Sequence, residues 1–278
     1  MSEPKAESDS QTVAAIEKAA TGAHLGKWVA TYPWRIPPVP WRGYLLWGGL
    51  WIVIAGAWGF AAGTAVVGWW AIWFVVVLGL PLIARSRSRS GFADRHARLA
   101  LYERGVVVVG ERGVLHTARF DATLAYLVAA EYPADAFRRG KGRPRQYTGN
   151  LTDSVGQRFP LTGYFATDFW LRGGYTEPEI WAPAIQDGIV EARFDAATVA
   201  LDAGQTLDFG PVQLAKSGIS ADCQTIDRAS IEGVSVDTGR VGVIIAGTWR
   251  PLNGAALESV PNYRLLIALA NHLRDESS

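Results

Sequence analysis

Four histidines, one cysteine and a cluster of cations are the residues in this chain whose types could support chemistry or bind charge. His24, His96, His116 and His272 are scattered, with no ligand spacing among themselves or to Cys223. A zinc site needs four such donors at close, regular intervals, so no metal is expected. Cys223 falls on a predicted strand and reads as a small buried hydrophobe rather than a nucleophile. The chain has no glycine-rich phosphate loop, nucleophile elbow or paired-carboxylate motif. The sequence therefore points to a non-enzymatic protein without a cofactor.

The densest charge is Arg138-Arg139-Gly140-Lys141-Gly142-Arg143-Pro144-Arg145, with five cations in eight residues on a predicted inter-strand loop. Near an anionic leaflet each cation contributes about 1 kcal/mol before screening. Arg138, Arg139, Lys141, Arg143 and Arg145 are thus candidate contacts for anionic lipid headgroups, against the plainer reading of a solvated loop. A nucleic-acid surface is not expected, because no aromatic platform accompanies the loop and the net charge is only +1. Charge is unevenly spread. Residues 85–145 carry 13 basic and 6 acidic side chains, whereas residues 176–278 carry 7 basic and 14 acidic.

Residues 43–84 contain no Asp, Glu, Lys or Arg, and nine of the 12 tryptophans lie between Trp28 and Trp73. One helix of that length would reach about 63 Å, twice a bilayer's hydrocarbon thickness. The expectation is a transmembrane hairpin with helices near 43–61 and 66–84. Lys27, Arg35 and Arg42 precede it and Arg85, Arg87, Arg89, Arg95 and Arg98 follow it. Positive charge at both ends predicts a multi-pass protein of the cell membrane with both termini cytoplasmic. Ala55, Gly59 and Gly63 form a small-residue row suited to transmembrane packing, as an anchor or as a dimerising face. Pro33, Pro37, Pro38 and Pro40 exclude a helix before this segment and favour an extended lead-in.

The elements around this segment are legible from periodicity. Residues 1–42 read as a disordered or extended cytoplasmic tail with a short helix near 13–20. Short β-type runs follow residue 98, at 99–102, 106–109, 114–119 and 124–131, then a hairpin over 146–152 and 157–161. Thr176 and Glu179 have capping-box spacing for a helix towards Leu201, with Ile185, Ile189, Ala192 and Ala196 on one face. The second half repeats the plan, with strands from 206 to 245, a turn at Asp237-Thr238-Gly239-Arg240, and a terminal helix after Pro261. Laid over each other, Tyr102, Gly105, Gly113, Phe120, Asp121 and Leu124 match Phe209, Gly210, Gly218, Ile226, Asp227 and Ile231. The fold class is α+β with transmembrane helices: a hairpin at 43–84, then β-barrels at 96–203 and 204–278, each closed by a C-terminal helix.

Leu25-Gly26, the run Leu101-Tyr102-Glu103-Arg104-Gly105-Val106-Val107-Val108, Leu207-Asp208-Phe209-Gly210-Pro211-Val212 and Val260-Pro261-Asn262-Tyr263-Arg264-Leu265-Leu266 carry a resemblance. In these residues the chain resembles a bacterial family of membrane-anchored proteins with tandem pleckstrin-homology-like domains, over roughly residues 25–274. The resemblance implies the fold and carries over no activity and no site residues. The expected function is a membrane-anchored interaction or lipid-contact protein with an unknown protein partner. The alternative is a structural subunit of a larger membrane complex.

Overall fold

The computed structural model describes residues 3–35, 97–110, 114–131, 145–163, 174–222 and 224–276. Two β-rich units follow one another along the chain. In the first, β1 (Trp28–Arg35), β2 (Arg98–Tyr102), β3 (Gly105–Val109), β4 (Leu115–Arg119) and β8 (Gly174–Tyr175) form a sheet in the order β4-β3-β2-β1-β8. A second sheet holds β5 (Leu124–Glu131), β6 (Arg145–Thr152) and β7 (Arg158–Thr162). Helix α2 (Pro178–Asp202) packs beside both. In the second unit, β9 (Leu207–Phe209), β10 (Val212–Ala215), β11 (Gly218–Ala221) and β12 (Gln224–Asp227) make a four-stranded sheet. Strands β13 (Gly233–Asp237), β14 (Arg240–Ile245) and β15 (Thr248–Ala256) make a three-stranded one, and α3 (Tyr263–Asp275) closes the unit. Every strand pairing within these sheets is antiparallel.

The first unit begins earlier than its sequence suggests. The expected tail contains α1 (Glu3–Gly22) and β1, and β1 lies between β2 and β8. Ala30, Tyr32 and Trp34 turn inward to the core while Val29, Thr31 and Pro33 turn out, the period-2 pattern of a half-buried strand. Pro33 lacks a backbone donor, and its carbonyl accepts the Thr176 N–H at 3.1 Å. Strands β2 and β3 are buried on both faces. Tyr32, Leu99, Val106 and Val108 meet one core, whereas Ala100, Tyr102, Val107 and Val109 meet Ile16, Ala20 and Leu25 around α1. Double burial explains why Val106–Val109 is an unbroken apolar run.

The expected barrels are corrected to pairs of sheets. In the first unit an isolated bridge between Gly163 and Tyr175 joins the two sheets at one seam, giving a half-barrel. In the second unit no ladder joins the two sheets among the described residues. The expected transmembrane architecture and multi-pass membrane localisation are corrected as well. No helix among the described residues is long and apolar enough to cross a membrane. The physical reason differs by helix: α3 has 13 residues, short of the roughly 20 needed, while α1 and α2 are long enough but carry Asp, Glu and Lys or Arg along their length. The span expected at 43–84, with Ala55, Gly59 and Gly63, lies outside the described residues.

The duplication is present with a shifted register. Because β1 opens the first sheet, β1–β4 correspond in order to β9–β12, so β2 answers to β10 and Gly105 answers to Gly218. The shared signature is Leu101-x-x-x-Gly105 and Leu214-x-x-x-Gly218, each a strand, a two-residue turn and the next strand. Both glycines sit against backbone: a Cβ would lie 2.4 Å from the Ala118 carbonyl at Gly105, and 2.1 Å from the Ile226 carbonyl at Gly218. Gly218 also has φ 153, closed to most side chains. Gly218→Ala is expected to destabilise the chain by about 1–3 kcal/mol, read as a lower midpoint in urea unfolding, whereas Gly239→Ala at an open turn costs less.

Candidate functional site

Helix α2 is the element that places the site. Its first half buries Trp181, Ala182, Ile185 and Ile189 in the first core, and its second half packs Val190, Phe194, Ala197 and Leu201 against the second core. The expected face is corrected: Ile185 and Ile189 are buried, but Ala192 and Ala196 are exposed, because the stripe swings round the helix as it passes from one unit to the other. The start is corrected too. Glu177, at φ 56, is the N-cap, with Pro178 at the first helical position, and no side chain caps the helix. Thr176 instead pairs its backbone with β1.

Where α3 begins, the second unit hooks the first. Asn262 is the N-cap of α3, at φ 51, and is 2% exposed. Its backbone N–H donates to the Ala125 carbonyl at 2.9 Å, and the Ala125 N–H donates to its Oδ1 at 2.8 Å. Its Nδ2 donates to the Thr123 carbonyl at 3.1 Å. One asparagine thereby copies the pairing of a neighbouring strand on the outer edge of β5. Its amide also explains the residue type, since Asn tolerates the left-handed conformation and carries both donor and acceptor.

Polar groups from α2 surround this hook. Gln186, 2% exposed, donates Nε2 to the Ala125 carbonyl at 3.5 Å, while its Oε1 is buried without a partner. Arg193 donates to the Thr123 carbonyl at 3.4 Å. Burial pushes the Arg193 guanidinium down and nearby Asp121 opposes that shift. Arg119 donates Nε to Asp121 at 3.0 Å, and this bond, first among the causes, holds the Asp121 carboxyl below its ordinary value. Arg264 of α3 pairs with Asp187 of α2 at the rim. The arrangement is a recognition contact built mainly from backbone groups and amides. Among the described residues no group of three or more His, Cys, Asp or Glu is placed to hold a metal ion.

The residues singled out by sequence do not assemble here. Arg138, Arg139, Lys141 and Arg143 lie outside the described residues, as do Cys223 and His96; Arg145 opens β6, its backbone opposite Glu131. His24 sits at φ 56 in the link after α1, His116 stacks on Phe159 at 5.1 Å, and His272 packs edge-on against Phe194 at 5.5 Å. Asn262 and Gln186 were not foreseen. The available signal was Asn directly after Pro261 at a helix start, which marks a cap but not a partner 137 residues away.

Residues 175–278 match a family model. It is DUF6585, a family of unknown function. The matched span is less than half of the chain and takes in α2 and the whole second unit. No curated protein and no solved structure gives a significant match. DUF6585 similarity therefore covers the helix that carries Gln186 and Arg193 and the segment that carries Asn262, but not the β5 edge that they meet.

Asn262→Ala is expected to cost about 2–4 kcal/mol in chemical unfolding, since it leaves the Ala125 N–H unpaired in the interior and puts Ala at positive φ. Asn262→Gly, which tolerates that φ, should recover roughly 1 kcal/mol of the loss. The Asp121 contribution has the sign of a depressed acid: present above the usual Asp range and lost as pH falls below it through the folded value. Asp121→Asn should therefore flatten the acid limb of a stability-against-pH curve by lowering stability at neutral pH, where the Asp121 contribution is present, and leaving stability below the folded value nearly unchanged.

Proposed function

We propose that the chain is a non-enzymatic interaction protein, in which two coupled β-units present strand edges and helix-flanked clefts to other polypeptides. The supporting observation is the Asn262 hook. It is a protein–protein contact already made within the chain, through the same backbone groups that an edge strand offers to any partner. Coupling by α2 fixes the distance and angle between the units, so a partner touching both meets a preset geometry and less ordering entropy is lost on binding.

Native-level affinity purification of the full chain, followed by quantitative mass spectrometry, tests this. One polypeptide recovered in fixed stoichiometry, and lost on dilution with a measurable affinity, is the expected result. A chain that elutes alone while converting a small molecule at a rate proportional to its concentration overturns the proposal.

A further inference from the structure

The chain has four asparagines, Asn150, Asn253, Asn262 and Asn271, and the residue after each governs its chemical lifetime. An asparagine side chain is attacked by the backbone nitrogen of the next residue wherever that nitrogen can reach Cγ. Leu151, Tyr263 and His272 place a bulky side chain beside the nitrogen, whereas Gly254 places nothing there. Local structure protects the same three again. Asn150 lies in β6 between Tyr126 of β5 and Pro160 of β7, Asn262 is the buried hook, and Asn271 is inside α3.

Asn253-Gly254 is held differently. In β15 the register passes from Pro251 opposite Gly242 directly to Ala256 opposite Arg240. Five steps along β15 face two along β14, so residues 252–255 swell out as a wide bulge. Its flanks are anchored, since Leu252 is 1% exposed and Ala255 0%, both in the second core. Asn253 and Gly254 form the exposed crest between them. Gly254 has φ 68, and a Cβ built there would meet nothing nearer than Asp222 Cβ at 3.8 Å. The Gly254 carbonyl accepts Ser259 Oγ at a long 3.3 Å. The crest therefore stands in solvent, outside the strand register and with room to rearrange.

We propose that Asn253 is a site of spontaneous hydrolytic modification, with water as co-reactant, and that its isoaspartyl product loosens the second unit. The Gly254 N–H gives its proton to a solvent base, and the nitrogen attacks Asn253 Cγ. A Cγ–N bond forms, the Cγ–Nδ2 bond breaks, and Nδ2 takes a proton from solvent and leaves as ammonia. Water then opens the cyclic imide. Addition at Cγ restores the main chain and leaves aspartate. Addition at the Asn253 carbonyl carbon leaves isoaspartate, with the main chain running through Cγ. Aspartate only adds a charge to an exposed crest. Isoaspartate inserts a methylene between Leu252 and Ala255, and a close-packed core resists moving either. The site stands independently of the interaction reading above.

The test ages the full chain at physiological temperature in neutral and in mildly alkaline buffer. Peptide mass spectrometry with fragment-ion localisation reads the exchange of NH2 for OH at each asparagine, and chromatography separates aspartate from isoaspartate. Conversion at Asn253 is expected at least tenfold faster than at Asn150, Asn262 or Asn271, and faster at the higher pH. Unfolding the chain in guanidinium should raise the Asn253 rate less than tenfold, because the bulge already exposes the crest. The aged parent should unfold at a lower urea midpoint than the fresh one. Aged Asn253→Gln, whose longer side chain closes the ring far more slowly, should keep its midpoint, and fresh Asn253→Asp should stay near the parent. Conversion at Asn253 no faster than at Asn150, or a native rate more than tenfold below the unfolded rate, overturns the site. An isoaspartate-rich chain with the parent's midpoint, or a fall matched by fresh Asn253→Asp, overturns the loosening.

Discussion

Burial of one helix in two cores governs this structure. Trp181, Ile185 and Ile189 are fully enclosed by the first unit, and Leu201, on the same helix, is enclosed by the second. The helix has 25 residues, roughly 37 Å, with Pro183 inside its first two turns, and beyond Pro183 a sharp bend would break backbone bonds. Neither unit can turn relative to the other unless α2 melts or one core gives up its share. Asn262 and the Arg264–Asp187 pair then act as lateral ties on a geometry already set by α2. The surface pair is worth little by itself, while the buried amide matters because its loss strands a backbone donor.

Local order was legible in the residues. The hairpin at Asp237-Thr238-Gly239-Arg240 follows from Gly239, which accepts positive φ and carries the β-branched Thr238 with it, and the strands of the second half follow from alternation between polar and apolar side chains. Long-range order was not. Strand β1 is separated from β2 by residues 36–97, and nothing in Trp28–Arg35 says that its partner lies beyond them. Its prolines suggested a lead-in, whereas Pro33 stands inside β1 with its carbonyl paired to Thr176. Missing β1 moved the internal alignment by one strand and matched Gly210, instead of Gly218, to Gly105. The run of Ala192 and Ala196 misled for another reason: a helix that changes partners midway has no single buried face.

The contact of greatest functional interest was the least legible, and the cause is chemical. Motif reading rewards titratable side chains at fixed spacing. Here recognition uses peptide groups, which every residue carries, together with two amides. Such a site has no signature in composition, and it became visible only when Ala125 and Asn262 were seen side by side. The apolar stretch at 43–84 shows the converse, because a strong compositional signal led to an architecture that the described helices do not display.

The order in which these pieces leave the ribosome gives β1 a long wait. It emerges before residues 36–97 and cannot pair until β2 follows, and closing a loop of about 60 residues costs several times RT in chain entropy. Even then the first core lacks Trp181 until α2 has been made, and its β5 edge remains open until Asn262 arrives. The second unit draws on nearer neighbours, with β9 to β12 joined by short turns. The later-made half is therefore the faster to fold, and the nascent first half spends synthesis with its apolar sheet uncovered, a window in which a chaperone has something to hold.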